Sequence, residues 1–109
     1  MDRTALLETV RRIALEHVRG TDVRVYLFGS WARGEERRSS DIDIGLWSSR
    51  PLSREWIASL RERFEESTVP RRVDVVDLTR VDPAFVQRVL KEGIQWSDSE
   101  IASKPPSGR

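Results

Sequence analysis

The residues best placed to do chemistry are two aspartates in the alternation Asp41-Ile42-Asp43-Ile44, with a Gly29-Ser30 pair upstream. A strand has a side-chain period of two, so this pattern puts Asp41 and Asp43 on one face and Ile42 and Ile44 on the other. Neighbouring carboxylates repel each other, and a divalent cation between them relieves the repulsion. The apolar run Val23-Arg24-Val25-Tyr26-Leu27-Phe28 feeds straight into Gly29-Ser30, a place where backbone N–H groups can cradle phosphate. Phosphate, paired carboxylates and Mg2+ together describe nucleotidyl or phosphoryl transfer. Both motifs also have a plain reading. The aspartates could be an exposed pair on a hairpin, and Gly29-Ser30 a strand-to-helix turn with Ser30 as N-cap.

The elements that must position these residues can be read from periodicity. Leu6, Leu7, Val10, Ile13, Ala14 and Val18 recur at helical spacing, and Gly20 closes that helix. Val23 to Phe28 forms a strand, Trp31 to Glu35 a short helical turn, and Asp41 to Leu46 a second strand. Ser53 caps a helix with Trp56, Ile57, Leu60 and Phe64 on its apolar face. Val73-Asp74-Val75-Val76 forms a third strand. Asp82-Pro83 opens a helix that buries Phe85, Val86, Val89 and Leu90 and stops at Gly93. Ile94-Gln95-Trp96 adds a short edge strand. The order is α-β-α-β-α-β-α, an α/β chain with helices packed on a small sheet. Residues 1–96 form one domain. Residues 97–109 are polar, contain two prolines, and are expected to be disordered.

Composition narrows the function. A chain of 109 residues can build one modest core. With 38% hydrophobic and 34% charged residues the expectation is a soluble protein, and a chain without cysteine is compatible with the reducing cytoplasm, its expected location. A net charge of +1 gives no global reason to expect nucleic-acid or membrane binding. The absence of cysteine rules out disulfides and thiolate metal sites. His17 alone cannot build a histidine metal site, and is expected to be structural or solvated.

Gly29-Ser30-x-Ala32-Arg33-Gly34 followed by Ser40-Asp41-Ile42-Asp43-Ile44 resembles the signature of the DNA polymerase β-type nucleotidyltransferases. At this length the chain looks most like the minimal nucleotidyltransferases (MNT), the antitoxin half of HEPN/MNT toxin–antitoxin pairs. The resemblance runs from about residue 5 to residue 96. It implies an α+β fold of the minimal polymerase β type: a small twisted mixed sheet, helices packed on one side, and the catalytic face open. It also implies a third carboxylate on the next strand between apolar residues, which Asp74 fits. Asp77, at the end of that strand, reads instead as a turn or cap residue.

By the same resemblance Asp41, Asp43 and Asp74 are the catalytic and metal-holding residues, with two Mg2+ ions expected. Asp41 and Asp43 hold the nucleotide-bound ion, while Asp74 shares a second ion or takes the acceptor's proton. Gly29, Ser30 and Arg33 bind the nucleotide, although Arg33 could equally pair with an acidic neighbour. Arg37 and Arg38 could steer ATP or an acidic partner, or be simply solvated. Trp31 could stack on a base, anchor a partner or pack under the helix. Trp47 and Trp56 read as core, and Trp96 as an exposed interface anchor.

The activity implied is transfer of AMP from ATP to a tyrosine of a HEPN ribonuclease toxin, with no direct nucleic-acid contact. Two alternatives stay open. One is an antitoxin that only binds the toxin. The other is a small-molecule nucleotidyltransferase resembling the aminoglycoside-modifying enzymes.

Overall fold

The computed structural model describes residues 1–97. Helix α1 (Arg3–Val18) begins where the Asp2 side chain accepts a hydrogen bond from the Ala5 N–H at 2.8 Å. It is followed by β1 (Arg24–Phe28), α2 (Ser30–Arg33), β2 (Ile42–Trp47), α3 (Arg54–Glu65), β3 (Val73–Asp77), α4 (Pro83–Glu92) and β4 (Ile94–Trp96). Ser53 and Asp82 cap α3 and α4 through their side chains, and Pro83 stands in the first turn of α4, as their sequence signatures predict. Helix α2 is shorter than expected because Gly34, at φ +72°, ends it in the left-handed region. The second strand starts at Ile42, which leaves Asp41 just ahead of it. The expected tail lies, from residue 98 on, outside the described residues.

The strands form one mixed sheet in the order β3-β2-β1-β4. β1 runs antiparallel to both β2 and β4, while β2 and β3 run parallel. The β2–β3 ladder is extended at both ends, by Ile42 N–H to the Arg72 carbonyl at 3.0 Å and Leu78 N–H to the Leu46 carbonyl at 2.9 Å.

Alternation along the strands divides the sheet into two faces. Val25, Leu27, Ile42, Ile44, Leu46 and Val75 face α1 and α3, where Leu6, Val10, Ile13, Ile57, Leu60 and Phe64 complete the main core. Each fully buried aliphatic side chain there contributes about 1.5–3 kcal/mol. The other face is more open than this one but not bare. Helix α4 lies against it, burying Val86 and Val89 with Tyr26 and Leu78. Phe85 meets Phe28 edge to face, with ring centroids 5.7 Å apart. Both polar ends of the chemistry, the Gly29 turn and Asp43, therefore sit at the margin of a small second core.

The tryptophans divide between expected and unexpected places. Trp31 is buried, 4% exposed, in the main core, which agrees with the packing reading of the three. Trp96, expected to be exposed, is buried too, at 9%. Pairing of β4 with β1 aligns it with Val25, on the face that α1 covers. Trp47 and Trp56 are only half-buried at the margins of the two cores. His17 is structural as expected: its Nε2 donates to the Trp56 carbonyl at 3.0 Å, and its ring lies 4.5 Å from the indole of the same residue.

Candidate active site

Three neighbouring strands bring the predicted chemistry into a row. Phe28, the last residue of β1, aligns with Asp43 on β2, and Asp43 aligns with Asp74 on β3. Residues directly opposite in adjacent strands share a face, so the two carboxylates stand side by side on the α4 face. Gly29 follows Phe28 at the end of the row.

Gly29 has φ +75° and ψ −156°, a backbone region that only glycine occupies readily. A Cβ at this position would collide with the Asp43 carboxylate. The turn and the acid are thus packed against each other, and absence of a side chain is what permits it. Gly29, and not Ser30, is the N-cap of α2; Ser30 is the first helical residue. No side chain caps this helix start.

Charge is concentrated at Asp43. Its carboxyl is pushed up to about 6 from the ordinary 3.8, first by burial, then by the neighbouring charges of Asp74 and Asp41. The guanidinium of Arg33 acts in the opposite direction. Arg33 also pairs with Glu35 at 2.9 Å, the acidic-neighbour reading of this residue. Asp41 is exposed and its carboxylate lies 3.9 Å from Arg72. The three aspartates therefore converge on one edge of the sheet without closing into a tight cluster. Among the described residues, no three acidic or histidine side chains are already gathered at ion-binding distance. The donor chemistry nevertheless fits a hard divalent cation: all-oxygen ligands, with Asp43 held against two like charges that a cation would neutralise.

Asp77 serves a turn. Its carboxylate accepts from the Thr79 N–H at 2.9 Å and the Thr79 hydroxyl at 2.5 Å, and pairs with Arg80 at 2.9 Å. Arg37 and Arg38 are exposed in the loop ahead of Asp41.

One supporting residue gave no signal in the sequence. Arg3 donates to the Trp31 carbonyl at 2.8 Å, stacks on the Trp31 ring and pairs with Glu36 at 2.7 Å. It ties α2 and the loop after it to the start of α1. The partners are 28 and 33 positions away, beyond any local pattern.

Beside the turn lies a cleft of ≈ 190 Å³, lined by Phe28, Gly29, Arg33, Phe85, Arg88 and Val89, with Glu92 at its rim. Its lining is mostly apolar, with two aromatic rings and two guanidiniums, and the Arg88 guanidinium lies 5.7 Å from the centre of the Phe85 ring.

A glycine turn packed on a carboxylate that is paired across two strands is the arrangement of a nucleotidyltransferase. The chain belongs to the family described as "Polymerase beta, Nucleotidyltransferase", which matches residues 19–100. It is 30% identical over 86 residues to the "Probable protein adenylyltransferase MntA" of Haemophilus influenzae, covering 79% of this chain and 75% of that protein. A solved minimal nucleotidyltransferase superposes with a TM-score of 0.72 at 32% identity, covering 86% of this chain and 95% of the other. A toxin–antitoxin structure with AMP-PNP superposes with a TM-score of 0.65 at 26% identity, covering 83% and 76%. Among the described residues no helix is long and apolar enough to cross a membrane.

Proposed function

We propose that this chain is a Mg2+-dependent antitoxin that transfers AMP from ATP to a tyrosine hydroxyl of a HEPN ribonuclease toxin, in the cytoplasm. Residues 1–96 are its catalytic domain. The observation that carries the reading is the register Phe28–Asp43–Asp74, which sets two carboxylates beside the Gly29 turn. The adenylyltransferase relative supports transfer of AMP to protein, and the AMP-PNP assembly supports ATP and a toxin partner.

Each residue then has a task. Gly29 and Ser30 let the triphosphate approach the backbone closely, and Arg33 adds a positive charge near it. The cleft floored by Phe28 and Phe85 receives the nucleoside. Asp41, Asp43 and Asp74 would hold the metal, expected as two ions; Asp41 turns from Arg72 to do so. Bound Mg2+ supplies charge neutralisation at the α-phosphate and at departing pyrophosphate. On this reading Asp74 or an adjacent metal takes the proton of an incoming phenol, whose ordinary pKa of about 10 keeps it protonated at neutral pH. The added AMP obstructs an RNA-binding site by its charge and bulk. Retention of all three aspartates favours chemistry over simple masking.

The test is to incubate the chain with ATP, Mg2+ and its HEPN partner and weigh the partner. The expected result is a mass gain in whole AMP units, absent when Asp41→Ala and Asp43→Ala are combined. An unmodified partner that the double variant still inhibits fully would establish masking instead. In calorimetry, ATP should bind far more weakly without divalent metal; equal affinity would remove the metal from the reading.

A further inference from the structure

A groove of ≈ 460 Å³ opens on the other side of Asp74 from the Gly29 turn, between the end of α3, the connection that follows it and the start of β3. Arg61, Arg71 and Arg72 line it, with Phe64, Val69, Pro70 and Val73 as its apolar part and Asp74 where it meets the active site. Glu65 is the opposing charge in the wall.

Each arginine has a neighbour in the fold. Arg61 donates to the Val75 carbonyl at 2.8 Å, filling an acceptor on the outer edge of β3. The Arg71 guanidinium lies 6.0 Å from the centre of the Trp31 ring. Arg72 lies 3.9 Å from the Asp41 carboxylate. A guanidinium presents five N–H donors in a fixed plane, so one such contact leaves most of its capacity for a ligand.

We propose that this groove docks an acidic, extended segment of the protein acceptor and so delivers the acceptor hydroxyl to Asp74. The inference rests on the protein adenylyltransferase reading of the site. The strand order gives the direction. Turn, Asp43 and Asp74 lie in sequence across β1, β2 and β3, and β3 is the sheet edge. With phosphate at the β1 end, an attacking oxygen aligned with the α-phosphate arrives over β3. The groove borders that route. Three guanidiniums against two carboxylates, Glu65 in the wall and Asp74 on the side of the active site, leave a net positive lining that suits glutamate or aspartate side chains, which arginine binds in a forked geometry. Single-stranded nucleic acid fits less well, because its bases need exposed aromatic faces, and both Phe64 in the lining and Trp31 beside Arg71 are buried.

The experiment is fluorescence anisotropy without ATP, using a labelled peptide with a central tyrosine flanked by three glutamates on each side. The comparison ligands are the same peptide with glutamines and a single-stranded oligouridylate. The glutamate peptide should bind about tenfold more tightly than the glutamine peptide, and salt should erase the difference. Arg71→Glu should abolish the preference. Arg61→Gln, which can still donate to the Val75 carbonyl, should reduce it with the thermal melt unchanged. Equal binding of the two peptides overturns the proposal, and so does an oligouridylate that binds more tightly and displaces the acidic peptide. ATP affinity of both variants, read in parallel with Mg2+, should stay at the parent value; an equal fall in ATP and peptide affinity would assign the groove to the nucleotide. Because the peptide assay needs no transfer, loss of the catalytic reading and loss of the docking reading are seen separately.

Discussion

Replacing Asp43 by asparagine should stabilise the metal-free protein at neutral pH while ending catalysis. The Asp43 carboxyl is pushed up to about 6 in the folded chain against an ordinary 3.8. At 1.36 kcal/mol per pH unit that difference corresponds to about 3 kcal/mol. The side chain is only half-buried, so solvent screening reduces the effect to about 1–2 kcal/mol. The sign follows from proton binding. Between pH 3.8 and about 6 the folded state holds a proton on Asp43 that the unfolded state has released, so stability falls as pH rises through this window. Above it the full penalty remains. Asp43→Asn cannot ionise and escapes the penalty. For a domain of this size, melting at pH 7.5 without metal should rise by roughly 5–10 °C. The gain should shrink toward zero at pH 4, where the parent is mostly protonated in the folded state. Circular dichroism melts from pH 4 to 8 measure it directly. A variant that is no more stable at pH 7.5, or one whose gain does not change with pH, would refute the charge repulsion on which the metal reading depends.

Gly29→Ala should cost about 2–3 kcal/mol, from a backbone region closed to other residues and a Cβ that displaces the Asp43 carboxylate; urea unfolding gives the stability and calorimetry the lost ATP affinity. Asp74→Ala should end transfer with stability unchanged or raised, because it removes one of the charges that oppose Asp43. Asp77→Ala should do the reverse, losing about 1–2 kcal/mol with its Thr79 and Arg80 partners while transfer persists. Transfer assays and melts on the two variants, run side by side, would expose an exchanged assignment.

What could be read from the sequence was local. The alternation Asp41-Ile42-Asp43-Ile44 reports strand faces within four residues, and Ser53 and Asp82-Pro83 report helix starts within a turn. The Gly29 turn was legible because a glycine after an apolar strand implies a backbone other residues avoid. What was not legible depends on distant partners. Nothing near Arg3 indicates that it holds Trp31, and nothing near Arg72 indicates Asp41. Trp96 looked free because it lies near the end of the sequence. Burial instead follows from its place beside Val25 in the sheet. The position of α4 on the acidic face is likewise a packing outcome, since its own amphipathic pattern does not name the surface it will cover.

The parallel register of β2 and β3 acts as a form of proofreading. A slip of one residue would place Val73 or Val75 opposite Asp43 and turn Asp74 toward the α1–α3 core, where Val75 now sits 1% exposed. An aspartate in that apolar setting has no counter-charge, and the error is heavily disfavoured before any substrate arrives. The alternation that lines up the carboxylates thus also discards the chains in which they are misaligned. A population of this protein should therefore contain well-formed sites and unfolded chains, with few folded molecules that lack a working site.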